Sequence, residues 1–257
     1  MKLLKAWASF KSTNSLHMLP EDVSVLDKLK KQRTDFKSWE EYINDPNFGA
    51  PKDTKLHLGL IPQPFTGNLK TASIFILQLN PGLGPSDYYG EYKIPKFKRA
   101  LLDNLKQKPL DYPYIFLNPQ FSWHGGYKYW HSKLNGVIEN LRSYWNYRSY
   151  AKAQRRLAGQ LATIELVPYH SSSFSEKGGL LKLESVTLMK NYLNEVLIPK
   201  AKKGKAIIIS TRNATWRLRS EINVIVYPPG HAQGAHLTPD SYGGKAILDF
   251  LKCKKTV

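Results

Sequence analysis

A run of mostly apolar residues from Ser73 to Leu79 ends abruptly at the tripeptide Asn80-Pro81-Gly82. Such a run, partly β-branched, is typical of a strand that is buried on both faces of a parallel sheet. Asn-Pro-Gly is a dense turn signal, so the strand is predicted to stop there. In open parallel sheets, ligands bind just beyond the carboxyl ends of the strands. Asn80 is therefore a candidate site residue, with a plain strand-ending turn as the alternative.

Three further apolar segments alternate with helical patterns, at residues 162–167, 205–210 and 223–227. This alternation predicts an α/β fold, a three-layer sandwich with a central, mainly parallel four-stranded sheet. Right-handed crossovers bring the carboxyl ends of parallel strands to one edge of a sheet. The polar residues that follow each strand are therefore expected to converge at that edge: Asn80, Tyr169, His170, residues 210–212 and residues 228–231.

The length of 257 residues suits one sizeable α/β domain with excursions. Residues 1–257 are interpreted as a single domain in which residues 1–70 form an N-terminal excursion of helices and loops. Further along, residues 114–117 are short, aromatic and β-prone, and residues 121–131 mix aromatics, histidines and glycines. The latter segment is interpreted as a loop suited to stacking on a large or sugar-bearing base, or alternatively as a packed surface lobe.

The formal charge of +18, from 38 Lys and Arg against 20 Asp and Glu, points to a polyanionic partner. Nucleic acid is the first candidate and an anionic membrane surface the second. Basic residues lie in the runs 93–99, 152–156, 200–205 and 212–219. Some of them are expected to contact phosphates, although each run could instead be a solvated face. The residues selected as DNA contacts are Lys96, Arg99, Arg212 and Arg217.

Several classes of function are disfavoured by what the sequence lacks. Cys253 is the only cysteine, which excludes an intramolecular disulfide, a cysteine zinc site and a four-cysteine iron–sulfur cluster. The histidines show no zinc-ligand spacing, and neither a phosphate-binding loop nor a Gly-x-Ser-x-Gly nucleophile elbow is present. No apolar run approaches the ~20 residues that span a bilayer. We expect an intracellular, cytoplasmic monomer that needs no metal or cofactor.

The order of strands and turns resembles that of the uracil-DNA glycosylase superfamily. The resemblance covers about residues 70–250 as a pattern and is specific at Gln78-Leu79-Asn80-Pro81-Gly82. This segment is similar to the first motif of the mismatch-specific branch, commonly written Gly-Ile-Asn-Pro-Gly. The resemblance implies the superfamily fold and a monofunctional DNA glycosylase that hydrolyses the N-glycosidic bond of a flipped-out base.

The resemblance also implies roles for individual residues. Asn80 would position the attacking water, and His231 would stabilise the departing base, with His236 as the alternative histidine. The residues expected to line the substrate pocket are Gln78, Pro81, Gly82, Tyr88, Phe116, Tyr169 and His170. Tyr88 and Phe116 are included because an aromatic ring can stack on an extruded base, while each could instead be a core aromatic.

The chain departs from the family pattern at three places. Gln78 replaces the usual glycine, and the second motif is replaced by Tyr227-Pro-Pro-Gly-His231-Ala-Gln-Gly-Ala-His236. The uracil-reading Asn has no obvious counterpart, and Glu165, Tyr169 and His170 occupy that region. Because Glu165 lies inside an apolar strand, either a buried structural partner or a catalytic role would account for it.

These departures argue against uracil as the substrate, and the segment at residues 121–131 suits a larger base. The resemblance extends to members that remove modified bases of phage DNA, so it implies a modified base, for example glucosylated hydroxymethylcytosine, and a role in anti-phage defence. A uracil or mismatch repair glycosylase is the alternative. A non-catalytic DNA-binding protein of the same fold, and an unrelated α/β hydrolase or transferase acting on nucleotides, remain open. The expected DNA partner is single- or double-stranded.

Overall fold

A computed structural model describes residues 2–10, 17–50, 52–228, 230–231 and 236–253. These residues form an α/β structure. The helices are α1 Lys2–Ala8, α2 Val23–Leu26, α3 Trp39–Ile43, α4 Pro85–Lys93, α5 Pro95–Leu105, α6 Gly125–Tyr144, α7 Tyr150–Ala158, α8 Glu184–Tyr192, α9 Ile198–Lys202, α10 Asn213–Trp216 and α11 Tyr242–Cys253. The strands are β1 Arg33–Thr34, β2 Leu56–His57, β3 Phe65–Thr66, β4 Ile74–Gln78, β5 Leu161–Glu165, β6 Ile207–Ser210 and β7 Val224–Val226.

The central sheet is mixed and has five strands, in the order β3-β5-β4-β6-β7. All four predicted strands are present, as β4, β5, β6 and β7. The predicted number of four was wrong because β3 is only two residues long and follows closely after Pro64, so it carries no strand periodicity of its own. Residues 56–64 contribute β2, which pairs in parallel with β1 in a separate two-stranded sheet.

The chain divides into two compact units that are interleaved in sequence. Unit 1 comprises residues 1–66, 79–110 and 164–193, and unit 2 comprises residues 67–78, 111–163 and 194–257. Whether the units act as one domain, with residues 1–70 as an excursion, stays a prediction.

Unit 1 has an aromatic core to which the N-terminal segment contributes. Tyr42 of α3 stacks on Tyr88 of α4 with ring centroids 4.2 Å apart, and Tyr92 stacks on Tyr88 at 5.9 Å. Leu60 packs in the same cluster. Helix α4 begins at Pro85, where Asp87 accepts a hydrogen bond from the Gly84 amide, as favoured for an acid near a helix N-terminus.

Unit 2 contains β4, β6 and β7, which pair in parallel. Ile74 of β4 is in register with Ile207 of β6, and Ile208 with Val224 of β7. The apolar side chains of β4 and β6 are buried, as expected for parallel strands covered on both faces.

The prediction of an aromatic loop at residues 121–131 was wrong for residues 125–131, which form the first turns of α6. His124 caps this helix by accepting from the Gly126 amide. A Cβ atom added at Gly126 would lie 2.6 Å from the ring of Phe116, so glycine permits the close approach. The predicted β-prone segment at 114–117 is likewise not a strand, and Ile115–Leu117 form a 3-10 turn.

Among the described residues, no helix is both long enough and apolar enough to cross a membrane.

Candidate active site at the Asn80 turn

The Asn80-Pro81-Gly82 turn of unit 1 lies beside a second turn, residues 169–173, which follows β5. The backbone amide of Ser171 donates to the carbonyl of Pro81 at 3.3 Å. The amide of Val167 donates to the carbonyl of Leu79 at 2.8 Å. The two chain segments that the sequence placed after separate strands are therefore joined at this point.

The amide group of Asn80 is held in one orientation. Its Nδ2 donates to Ser171 Oγ at 2.8 Å, to the carbonyl of Pro81 at 3.0 Å and to the carbonyl of Tyr169 at 3.3 Å. Carbonyl oxygens only accept, so the amino side of the group must face them. Oδ1 then lies on the opposite side of the amide, and no donor from the described residues bonds to it.

Ser171 fixes the direction of this arrangement. Its hydroxyl donates to the carbonyl of Ser173 at 2.9 Å, so its lone pair is available to accept from Asn80. The amide of Ser173 donates in turn to the carbonyl of Asp53. Asn80 thus donates to Ser171, and Ser171 donates to Ser173. Asn80 Oδ1 is left as an acceptor for a substrate or a water molecule.

His170 supports the glycine of the same turn. Its Nδ1 lies 2.8 Å from the carbonyl of Gly82 and must donate to it, which places the neutral tautomer's lone pair on Nε2. That Nε2 is buried and has no hydrogen-bond partner among the described residues. Gly82 itself is exposed, and a Cβ added there would meet nothing within 4 Å. His170 therefore supports the turn through the carbonyl of Gly82, while Gly82 itself faces solvent.

Pro81 is buried, and its carbonyl is the acceptor shared by Asn80 and Ser171. Gln78 ends β4 within unit 2, where its carbonyl accepts from the indole of Trp216. Its side chain is half-buried. Both residues stay substrate-contact predictions.

A second histidine, His57, lies next to His170. The His57 amide donates to the carbonyl of His170 at 2.9 Å. Burial lowers the pKa of His57 to about 4, against the opposing effect of the nearby Asp53 carboxylate. Its Nδ1 is 3.1 Å from the hydroxyl of Tyr88, and its Nε2 is 3.5 Å from Asp53 Oδ2. The ring is neutral near pH 7, and the carboxylate favours the tautomer that carries the proton on Nε2.

His57 and Asp53 line a small cleft of unit 1 with a cavity volume of about 20 Å³. Leu83, which follows Gly82, and Ser172, which follows Ser171, belong to its lining. The remaining lining residues are Thr34, Phe36, Tyr42, Asp45, Asn47, Phe48, Gly49, Ala50 and Lys55. The cleft therefore adjoins the Asn80 turn, and most of its wall comes from the N-terminal segment.

The three aromatic residues predicted to contact a base are all core residues. Tyr88 is fully buried between Tyr42 and Tyr92, so neither face of its ring is open. Phe116 of unit 2 is buried and stacks on His124 at 5.6 Å. For both, the core interpretation applies, and base stacking must be assigned elsewhere.

Tyr169 is also buried, with its hydroxyl committed to structural bonds. It donates to Asp22 Oδ2 at 2.6 Å and accepts from the amide of Leu19 at 3.2 Å. Burial raises the pKa of Tyr169 well above its ordinary value. The side chain is an anchor for the N-terminal segment, and only its carbonyl reaches Asn80.

Glu165 is buried near the end of β5 with one carboxyl oxygen unpaired in the described part of the chain. Burial raises the pKa of Glu165 well above its ordinary range. Burial thus favours the protonated form of this carboxyl, and no ion-pair partner for it is found among the described residues.

The second-motif histidines belong to unit 2. His231 is exposed, its amide donates to the carbonyl of Pro228, and its ring packs edge-on against Tyr242 at 5.8 Å. The carbonyl of His236 accepts from the hydroxyl of Tyr227. Residues 229 and 232–235 of this motif lie outside the described residues. The role of His231 stays a prediction.

The four residues predicted to contact DNA all expose their side chains: Lys96 and Arg99 on α5 in unit 1, and Arg212 and Arg217 flanking α10 in unit 2. In unit 2, burial and, to a lesser extent, the positive charge of Arg212 lower the pKa of Lys133 on α6. Two cations close together favour an anion between them.

Sequence reasoning missed Ser171, Asp53 and His57. Ser171 directly follows the predicted Tyr-His pair, so the turn itself was identified. Asp53 and His57 come from the N-terminal segment, and nothing in their spacing indicates that this segment reaches the turns after β4 and β5. In the residues that the structure describes, no group of three or more His, Cys, Asp or Glu could hold a metal ion.

Comparison with known proteins returned no match among protein-family models, curated proteins or solved structures.

Proposed function

We propose that this chain is a monofunctional DNA glycosylase that hydrolyses the N-glycosidic bond of a flipped-out modified base and leaves an abasic site. The observation that carries the proposal is the Asn80 amide. Three acceptors hold its Nδ2, and Oδ1 is left without a donor from the described residues. A fixed acceptor at the end of a buried strand is suited to orient a water molecule.

The reaction needs little from Asn80 beyond this orientation. An amide does not titrate usefully, so it cannot act as a general base. When the C1′–N bond breaks ahead of water attack, the sugar becomes cationic and the base leaves with the bonding electrons. Water oriented by Asn80 then forms the O–C1′ bond, and the proton it loses balances the one that the departing base acquires. In the proposal, His231 donates to the developing anion of the base.

Charge supports a nucleic-acid substrate. The excess of 18 positive charges and the exposed Lys96, Arg99, Arg212 and Arg217 provide contacts for phosphates. The phosphates would also stabilise the cationic sugar in the transition state. We further propose that the α/β architecture corresponds to the three-layer arrangement of the uracil-DNA glycosylases, with the parallel pairs of β4, β6 and β7 as support.

A modified base is proposed because the family's uracil-reading Asn has no obvious counterpart in this chain. The segment at residues 121–131 does not support stacking on a large base, since residues 125–131 belong to α6. Glucosylated hydroxymethylcytosine and a role in anti-phage defence are specific forms of the proposal.

The product identifies the activity. The protein is incubated in EDTA with oligonucleotides that contain uracil, mismatches, hydroxymethylcytosine or its glucosylated form, and each reaction is divided before alkali treatment. We expect strand breaks at the modified base only after alkali, which indicates abasic sites made without lyase activity. DNA binding without alkali-labile sites on any substrate would instead show a non-catalytic binding protein, and a preference for uracil or mismatches a repair enzyme.

A further inference from the structure

The end of α6, the connection to α7 and α7 itself form a strongly basic stretch of unit 2. No Asp or Glu occurs between residues 140 and 164, whereas five basic residues do: Arg142, Arg148, Lys152, Arg155 and Arg156. Arg142 is neutralised by Glu139, with Nε 2.6 Å from Oε2. Arg155 is neutralised by Asp111, with Nη2 2.6 Å from Oδ1. The other three form no ion pair within the described residues, so their charges remain open to an external anion.

Aromatic rings hold two of these three open cations in place. Arg156 Cζ lies 4.2 Å from the centroid of the Trp145 ring, and its Nη1 donates to the hydroxyl of Tyr147 at 3.0 Å. Lys152 Nζ lies 4.4 Å from the centroid of the Tyr147 ring. A cation–π contact attracts the cation to a ring and does not cancel its charge. Each cation is therefore positioned and can still bind an anion.

The same arrangement is electrostatically costly for α7. Lys152 and Arg156 are four residues apart and lie on one face of the helix, where like charges are destabilising. Lys152 is also in the first turn, at the positive end of the helix dipole, and this turn contains no acidic residue. An anion bound beside the two cations would relieve both effects. These costs argue for an anionic ligand rather than for a solvated face.

The side chains of α7 favour nucleic acid over an anionic membrane as the source of that anion. A helix that lies on a membrane buries an apolar face among the lipids. The apolar face of α7 is instead buried within the protein, through Ala153, Leu157 and Ala158. The exposed residues of the helix include no large apolar side chain: Ala151, Lys152 and Arg155. Separate cations at fixed positions suit the discrete phosphates of a nucleic-acid strand.

From these features we propose that Trp145, Tyr147, Arg148, Lys152 and Arg156 form a phosphate-binding surface for nucleic acid, here called the α7 surface. The guanidinium groups can bind phosphate oxygens in a bidentate manner, and the ammonium group binds them as a point charge. Contacts of this kind hold the backbone and read no sequence. The inference rests on the proposed function for its nucleic-acid partner alone, because it requires no step of bond cleavage.

The α7 surface is tested with the double variant Arg148→Gln/Lys152→Gln, which removes two exposed cations. Binding to a labelled, unmodified duplex is followed by fluorescence anisotropy over a range of salt concentrations. Each lost phosphate contact should make the slope of log affinity against log salt shallower by about 0.9, so we expect a change of about 1.8. The affinity in about 100 mM salt should fall at least about tenfold. The matched control is Lys28→Gln/Lys30→Gln, which removes the same net charge from two exposed lysines of unit 1 and should leave slope and affinity near those of the wild type.

Equal effects of the two double variants would overturn the inference, because net charge alone would then account for binding. Unchanged duplex binding by Arg148→Gln/Lys152→Gln would also overturn it, and a loss of binding to phosphatidylserine vesicles by that variant would then make the surface a membrane contact. Thermal unfolding confirms that each variant is folded. Lys152→Gln alone serves as a second variant, with an expected change in slope of about 0.9.

The abasic-site assay separates this inference from the proposed function. Weakened duplex binding by Arg148→Gln/Lys152→Gln, with no abasic sites made by the wild type on any substrate, would retain the α7 surface and refute the glycosylase. Abasic sites made by the wild type, with normal duplex binding by the variant, would retain the glycosylase and refute the α7 surface.

Discussion

Hydrogen bonds around single side chains decide which of the predicted site residues can take part in chemistry. Asn80 is fixed through its amino group and keeps its carbonyl oxygen available. Tyr169, four residues beyond β5, instead bonds to Asp22, which also accepts from the amide of Ser185 through Oδ1. Asn80 therefore presents an acceptor to a ligand, whereas the hydroxyl of Tyr169 anchors the N-terminal segment.

The anchor can be tested by Tyr169→Phe. Removing the hydroxyl leaves Asp22 Oδ2 without its 2.6 Å donor and the Leu19 amide without its acceptor, both in a buried environment. A hydrogen bond to a charged group contributes about 1.5–3 kcal/mol, so the free energy of unfolding in urea should fall by about that amount. Tyr242→Phe is the control, because Tyr242 is exposed and its hydroxyl bonds to no described residue. Equal stability of both variants would refute the anchor.

At the level of elements, the sequence was informative where long apolar runs decide the structure. The four predicted strands are β4, β5, β6 and β7, each of which lies in an apolar run of the sequence. The aromatic segment at 121–131 was misread because its glycines and histidines suggested a loop. The spacing of Tyr127, Trp130, His131 and Leu134 is nevertheless helical, and Gly126 serves close packing against Phe116.

Only part of the candidate site could be predicted from the sequence, because local signals mark the turns but not the docking of the N-terminal segment. The turns after β4 and β5 are marked by local signals, so Asn80 and His170 could be selected from the sequence. The cleft depends on where the N-terminal segment docks, which is set by tertiary contacts such as those of Tyr42 with Tyr88 and of Asp22 with Tyr169. No local pattern around Asp45, Asp53 or His57 encodes that docking.

For the molecule as a whole, charge dominates the expected behaviour. A net charge of +18 with exposed basic side chains in both units should attract DNA through its phosphates.

DNA affinity should accordingly fall steeply with salt. Each phosphate contact contributes about −0.9 to the slope of log affinity against log salt, so three contacts would weaken binding roughly 40-fold between 50 and 200 mM. Fluorescence anisotropy with a labelled duplex measures the slope, and Arg212→Gln should make it shallower by about 0.9 if Arg212 contacts a phosphate. An affinity that does not change over this range would remove the electrostatic argument for a DNA partner.

The central claim is that Asn80 acts in the chemical step and not in binding. An interaction made in the transition state affects the rate far more than the affinity. Removing one such contact typically lowers the rate by about 10²–10³-fold. Asn140→Ala on the exposed face of α6 is the matched control, since Asn140 bonds only to the carbonyl one turn earlier.

The deciding measurement is the single-turnover rate of abasic-site formation by Asn80→Ala on the best substrate of the panel. DNA affinity is measured in parallel, and circular dichroism confirms folding. The account predicts a rate about 10²–10³-fold below that of the wild type and of Asn140→Ala, with DNA affinity within about twofold. A folded Asn80→Ala variant with a near-normal rate would contradict the account and would place the site elsewhere.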